Sequence, residues 1–296
     1  MSIEFVPTQA MVASPPGFLR RLRRALRGDP LALAALIVLL GLLVMAVFGS
    51  RVAPYPAQGE GASDVAARML PPSAAHLFGT DQLGRDILSR VIVGARGAVA
   101  VSLLVVGLAA GFGMPLGAIA GYRRGRTDAV IMRLTDLFLA FPPLLLAMAI
   151  VAALGPGLDH VAIALAISWW PWYARLARGT AASLRELPYV EAARSAGLPD
   201  RTILVRHIVP NSITPILVQA TIDIGTVILA AGSLAFLGLG ASPPAPDWGL
   251  MVSEGRTFIL DQWWLATFPG LAIFVVVLAV NILGDLLRDL LDPRRR

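Results

Sequence analysis

Residues 188–211 read PYVEAARSAGLPDRTILVRHIVPN, a polar, arginine-bearing island between two long apolar runs. Pro188 suits the first turn of a helix, where its missing N–H goes unused. Glu191, Ala192, Ala193, Arg194 and Ala196 favour helix, and Gly197 can end it in a left-handed conformation. Asp200 suits the N-cap of a second short helix, Arg201 to His207. Pro210 then closes the unit where the next apolar run begins. The expectation is helix, break, helix, stop. A chain this apolar does not need such an element to sit in a bilayer. A chain that docks onto a soluble partner does.

Composition sets the surroundings of that island. Of 296 residues, 56% are hydrophobic and 15% charged, against about 25% charged in a soluble domain. The mean hydropathy is +0.72, and the apolar residues gather into runs long enough to cross a bilayer. All 25 basic residues are arginine. A phosphate-binding P-loop requires a lysine, so this chain carries no Walker-type ATPase site. With no cysteine there is no disulfide, thiolate metal site or cysteine nucleophile. The arginines are spread over separate loops rather than gathered on one face, which argues against nucleic acid as a partner.

Six apolar spans are expected. Asp29-Pro30 opens the first, Leu31 to Gly49, as cap and first helical residue. A proline-bearing connection over 50–97 ends in HLFGTDQLGRDILSRVIVGAR, whose Ile87, Val91 and Ile92 suggest an interfacial helix from Asp86 to Arg96. The second span, about Val99 to Tyr122, carries glycines at 107, 111, 113, 117 and 121, a spacing that lets helices approach closely in lipid. The third, about Ala129 to Leu154, contains Phe141-Pro142-Pro143 and should kink there. The fourth, about Leu158 to Ala177, has Trp169, Trp170, Trp172 and Tyr173 near its end, which reads as an interface belt. The fifth covers about Ile213 to Leu237 and the sixth about Leu265 to Leu287.

Six spans put both termini on one side. The segments that then share a side with the termini hold 19 arginines, including Arg20, Arg21, Arg23, Arg24 and Arg27 and the terminal Arg294-Arg295-Arg296; the other side holds 6. The positive-inside rule places the richer side, and with it the 188–211 island, in the cytoplasm.

The triplet Glu191-Ala192-Ala193, the later Gly197 and the Ile208-Val209-Pro210-Asn211 ending together resemble the EAA loop of permease subunits of ATP-binding-cassette (ABC) importers. EAARSAG followed by RHIVPN is similar to the peptide and nickel importer branch, as are HLFGTDQLGRDILSR after the first span, DLFLAFP at 136–142, the Phe236 to Trp248-Gly249 segment and the closing Asn281 to Asp285. The first span with its N-terminal extension resembles the C-type subunit, and the likeness covers nearly the whole chain. Two departures stand out. Val209 replaces a more usual leucine, and Ala230-Ala231-Gly232 stands where relatives carry a glutamate, so no role of that acid transfers.

The resemblance implies an all-α, six-span type I importer permease with both termini inside. Its parts are a basic N-terminus 1–29, a first span 30–49, an extracytoplasmic loop 50–97, a permease domain 98–288 with the coupling loop at 185–211, and a basic tail 289–296. It implies a second permease of B type, two ABC ATPase subunits that hold Mg-ATP, an extracytoplasmic solute-binding protein and the bacterial inner membrane, with no cofactor on this chain and no enzymatic activity of its own. Glu191, Ala192, Ala193, Gly197 and Pro210 are the expected ATPase-coupling residues. The rival from another class, a secondary transporter or channel acting alone, predicts internal repeats and unwound mid-span sites, and no convincing repeat is present.

Ionisable residues in spans are costly and usually functional. Asp223, between Thr221 and Thr226, is the deepest: it either lines the pathway or holds a neighbouring helix by a hydrogen bond. Arg133 and Asp136 are spaced to pair on one helix face. Asp81, Arg85 and Asp86 either dock an extracytoplasmic partner or simply cap a turn into the next helix. His76, His160 and His207 lack metal-ligand spacing.

Overall fold

Asp29 begins the first helix as its pairing with Pro30 requires, its carboxylate accepting from the Leu31 N–H at 2.9 Å. Helix α1 then runs from Pro30 to Val52. The computed structural model describes residues 23, 25–26 and 28–291; the remaining arginines of the basic N-terminus and the terminal arginines lie outside them. After α1 come α2 (Pro56–Gly59), α3 (Ile87–Arg123), α4 (Gly125–Leu139), α5 (Pro143–Leu154), α6 (Leu158–Arg185), α7 (Pro188–Ser195), α8 (Asp200–Ile203), α9 (Val209–Phe236), α10 (Trp248–Gly255) and α11 (Trp264–Leu291).

Four boundaries differ from the sequence expectation. The interfacial helix and the second span are one helix of 37 residues, α3, so a division at residue 98 falls inside it. Asp86 caps it, accepting from the Ser89 N–H at 2.7 Å, and nothing at Gly97 interrupts the ladder. Its first turn is buried rather than interfacial. Second, the chain between α4 and α5 does not kink but breaks, with an 82° bend, because Pro142 and Pro143 both lack the donor that would carry the helix through. Third, Pro210 does not close the 188–211 unit. A π-helical segment, Leu204–Ile208, joins α8 to α9, and the Val209 N–H bonds five residues back to the Leu204 carbonyl. Pro210 sits in the first turn of α9, and Asn211 Nδ2 takes up the His207 carbonyl at 2.6 Å. Asp200 is the first residue of α8, not its cap.

Among the described residues, four helices, α1, α3, the α8–α9 rod and α11, are long and apolar enough to cross a membrane, and the bent α4–α5 pair, taken as one broken span, makes a fifth. The fourth expected span, α6, is 28 residues long but less apolar. It is enclosed by α3, α5 and α9 in the main core, so it presents little surface to lipid. For the same reason its aromatics are no interface belt: Trp169, Trp170 and Tyr173 are buried and Trp172 alone of the four is exposed. Three of the five glycines provide the close approach. A Cβ at Gly113, Gly117 or Gly121 would meet backbone of Trp170, Ala174 or Arg178 respectively, so α3 and α6 run parallel with their backbones in contact, while Gly107 and Gly111 face open space.

Helix α11 returns antiparallel to α9: Gly225 faces Val277 and Val280, and Gly232 faces Ile273. Helix α1 leans on α3 where Gly49 meets Ile92 and Val93. A second core joins α1, α3, α9, α10 and α11 through Leu42, Val91, Ile228, Trp248 and Val276. The bundle therefore has two ends of different character, one at Tyr122 and one at Asp86.

Candidate functional site

At the Tyr122 end, Pro188 opens α7 as its sequence requires. One buried residue, Val190, anchors this helix in a small core with Ala118, Tyr122, Ala181, Ile203 and Ile208. Glu191 and Ala192 are exposed and Ala193 is half-buried. Gly197 ends the helix at φ +79°, with the Leu198 N–H returning to the Ala193 carbonyl at 3.2 Å, a left-handed cap that favours glycine. Pro210 is also exposed. The structure thus groups Glu191, Ala192, Ala193 and Gly197 on one short helix and its cap, and leaves Pro210 at the foot of α9.

Sequence reading missed the fastening of this unit. The Tyr122 hydroxyl donates to Asp200 at 2.7 Å, its carbonyl accepts from Arg185 at 2.8 Å, and the Arg194 guanidinium lies 5.9 Å from its ring centroid, within cation–π range. One residue at the end of α3 so ties α6, α7 and α8 together. The available signal was a hydroxyl-bearing aromatic where a span ends beside arginines. The expected Arg133–Asp136 pair does not form: Asp136 accepts from Arg175 at 2.6 Å, because α6 brings that guanidinium across to α4. A second bridge of the same kind joins Arg178 to Asp128 through two hydrogen bonds, at 2.5 and 2.7 Å.

At the Asp86 end the polar residues are internal. Arg85 is 0% exposed, held by Asp81 at 2.6 Å and Glu254 at 3.4 Å. Arg90 lies 3.7 Å from Asp81 and donates to the carbonyls of Pro244 and Ala245. Asp86, besides capping α3, accepts from His76 at 2.9 Å. Burial leaves Asp81, Arg85 and Asp86 no surface for a soluble partner, which corrects the docking expectation. They tie the 53–86 connection and α10 onto α3, and Arg90 adds the α9–α10 turn, with the Trp248 indole on the Val91 carbonyl at 2.9 Å. Asp247 caps α10, accepting from Leu250 at 2.9 Å; burial pushes its carboxyl above the usual carboxylate range, against the pull of the Leu250 and Gly249 N–H groups.

Asp223, in mid-α9, is 6% exposed. Gln219 one turn back donates to Oδ1 at 3.0 Å. Its Oδ2 and the Tyr173 hydroxyl are both buried without a hydrogen bond, although the two groups interact across the α6–α9 contact. It therefore faces a neighbouring helix here rather than an open channel.

A bundle of spanning helices around parallel, glycine-packed α3 and α6, with a thinly anchored amphipathic helix at one end, defines a polytopic transport subunit. Residues 113–296 match the family described as binding-protein-dependent transport system inner membrane component, and residues 17–72 match the N-terminal TM domain of oligopeptide transport permease C. The chain belongs to the first of these families: it is a permease subunit of an ABC importer of the bacterial inner membrane, a C-type member of the peptide branch, and a transport component rather than an enzyme.

Among relatives, it is 45% identical over 91% of its length to the probable D,D-dipeptide transport system permease protein DdpC of Escherichia coli K12, covering 89% of that protein. It is 47% identical over 94% to the glutathione transport system permease protein GsiD of Escherichia coli O157:H7, covering 89%. It is 44% identical over 92% to the dipeptide transport system permease protein DppC of Alkalihalophilus pseudofirmus, covering 89%. A chain of the inward-facing MetNI methionine ABC transporter superposes with a TM-score of 0.56 at 16% identity, over 70% of this chain and 98% of that one, which shows the shared fold.

Proposed function

We propose that this chain forms half of a translocation pathway for short peptides or peptide-like solutes and is driven through α7. The three relatives named above carry a D,D-dipeptide, glutathione or a dipeptide in their names, all small peptides. The other half of the pathway is a B-type permease chain. Two ATPase subunits bind and hydrolyse Mg-ATP, and a solute-binding protein delivers cargo from outside. The Tyr122 end faces the cytoplasm, with both termini, in keeping with the arginine asymmetry. In this reading the permease unit begins with α3 at Ile87 and its coupling loop spans 185–211.

The observation that carries the coupling reading is the exposed small-residue face of α7. Val190 plugs the helix into the chain's own core while Ala192 and Gly197 stand clear of it. Small side chains let a partner groove approach closely, and Glu191 is free to meet a partner's arginine. The contacts at Tyr122 and Val190 would carry a displacement of α7 into the ends of α3, α6 and α9, a rigid-body switch between two arrangements. Asp223 takes the role of holding α6 to α9 beside Tyr173. Uptake of labelled dipeptide and glutathione by the reconstituted importer with its binding protein tests this reading. Glu191→Arg should reduce uptake to background with the second permease still bound, and Asp223→Asn should slow it without loss of assembly. Uptake at the wild-type rate in either variant removes the corresponding role.

A further inference from the structure

Where α1 crosses α3, close packing of Gly49 on Ile92 and Val93 opens a wedge beside the crossing. The resulting groove has a volume of about 440 Å³ and is lined by Met45, Val47, Phe48, Arg51, Glu60 and Arg96 among others. Its apolar side is continuous with the exposed face of α1, where Leu40, Leu43, Val44, Val47 and Phe48 all stand uncovered, as a helix facing lipid tails does. Its polar side holds two exposed arginines, neither with an acidic partner among the described residues, and one exposed carboxylate. The internal arginines of the same end are otherwise served: Arg85 has Asp81 and Glu254, and Arg90 has Asp81 and two carbonyls.

Depth fits a lipid headgroup. At ~1.5 Å per residue, Arg96 lies about 40 Å along α3 from Arg123, the thickness of a bilayer with its headgroups. Arg51 ends α1 about 30 Å from Pro30 by the same rise. Both guanidinium groups therefore reach the outer headgroup layer by snorkelling. A guanidinium matches phosphate geometry with paired N–H donors. Two cations and one carboxylate leave one net positive charge, which suits a phospholipid with a single phosphate and no cationic headgroup.

We propose that this groove binds one anionic phospholipid of the outer leaflet, its phosphate between Arg51 and Arg96 and one acyl chain along Met45, Val47 and Phe48. Bound there, the lipid fills the wedge between α1 and the rest of the bundle. It would seat the first helix against α3 at a point where protein contacts alone leave a gap.

Native mass spectrometry of the assembled importer, titrated with phosphatidylglycerol, phosphatidylethanolamine or inorganic phosphate, tests this. Wild type should retain phosphatidylglycerol, and Arg51→Gln/Arg96→Gln should weaken that binding roughly tenfold or more with the assembly unchanged. Val47→Trp, which fills the tail groove and leaves both arginines, should also lose the lipid, and so serves if the double variant does not assemble. Glu60→Gln should tighten binding. Equal retention of phosphatidylethanolamine, competition by inorganic phosphate at the same concentration, or unchanged retention in the double variant or in Val47→Trp would overturn the assignment.

Discussion

At the outer end Arg85 lies at 0% exposure between Asp81 and Glu254, whereas at the inner end Glu191 stands exposed on a helix whose one buried residue is Val190. Both stretches are polar islands of aspartate, glutamate and arginine in an apolar chain. They do opposite work because of where their charges end. Buried charges must neutralise one another, and removing one strands its partner. Exposed charges contribute little to stability and so remain free for another molecule. The outer island is a lock; the inner one is a handle.

The largest effect should come from breaking the lock. Arg85→Ala leaves Glu254 without its ion-pair partner and Asp81 with only Arg90, 3.7 Å away, a loss of about 3–5 kcal/mol, read as a fall in yield and melting temperature of the importer in detergent. A melting temperature equal to wild type would mean that water already serves those carboxylates. Next comes the shared scaffold between the two ends. Gly117→Val drives side-chain atoms into the Ala174 backbone and should cost about 1–3 kcal/mol, whereas the same change at Gly111, which faces open space, should be nearly silent. A similar loss at both positions would break the account of α3 and α6.

A smaller effect is expected with pH at Asp247. Its folded carboxyl holds a proton more tightly than in the unfolded chain. Its contribution is therefore complete below the ordinary carboxylate range and is lost as pH rises through the raised value. Asp247→Asn should flatten that part of the curve. Melting temperatures in detergent on either side of that range, compared between the two proteins, check the sign; a contribution that grows with pH would contradict it.

How much of this was legible in the sequence follows from the same contrast. The apolar runs behind α1, α3, α9 and α11, the helix at Pro188, its end at Gly197 and, of the five-glycine ladder, the tight contacts at Gly113, Gly117 and Gly121 are local matters of hydropathy, capping and side-chain size, and they stand in the structure. The burial of Asp81, Arg85 and Asp86 is not local. It depends on Glu254 and the α9–α10 turn, brought in from far along the chain, and no spacing rule signals it. The aromatics of α6 were misplaced for a related reason, since a tryptophan in a span looks the same whether it faces headgroups or a neighbouring helix. Asp136 pairs with Arg175 rather than Arg133 because helix packing overrode an equally plausible local pair. At Pro210 the π-helical segment absorbs the missing donor, so the expected stop became a continuous rod.

The coupling claim is tested most directly by co-purification. The tagged chain, extracted from its host in mild detergent, should bring down the second permease and the ATPase subunits. Glu191→Arg and Gly197→Asp should lose the ATPases while the second permease stays bound, and the Glu191→Arg chain should melt within ~0.5 kcal/mol of wild-type stability, as an exposed site allows. Recovery of ATPase subunits at wild-type levels by both variants would contradict the account, and would move the coupling contact away from α7.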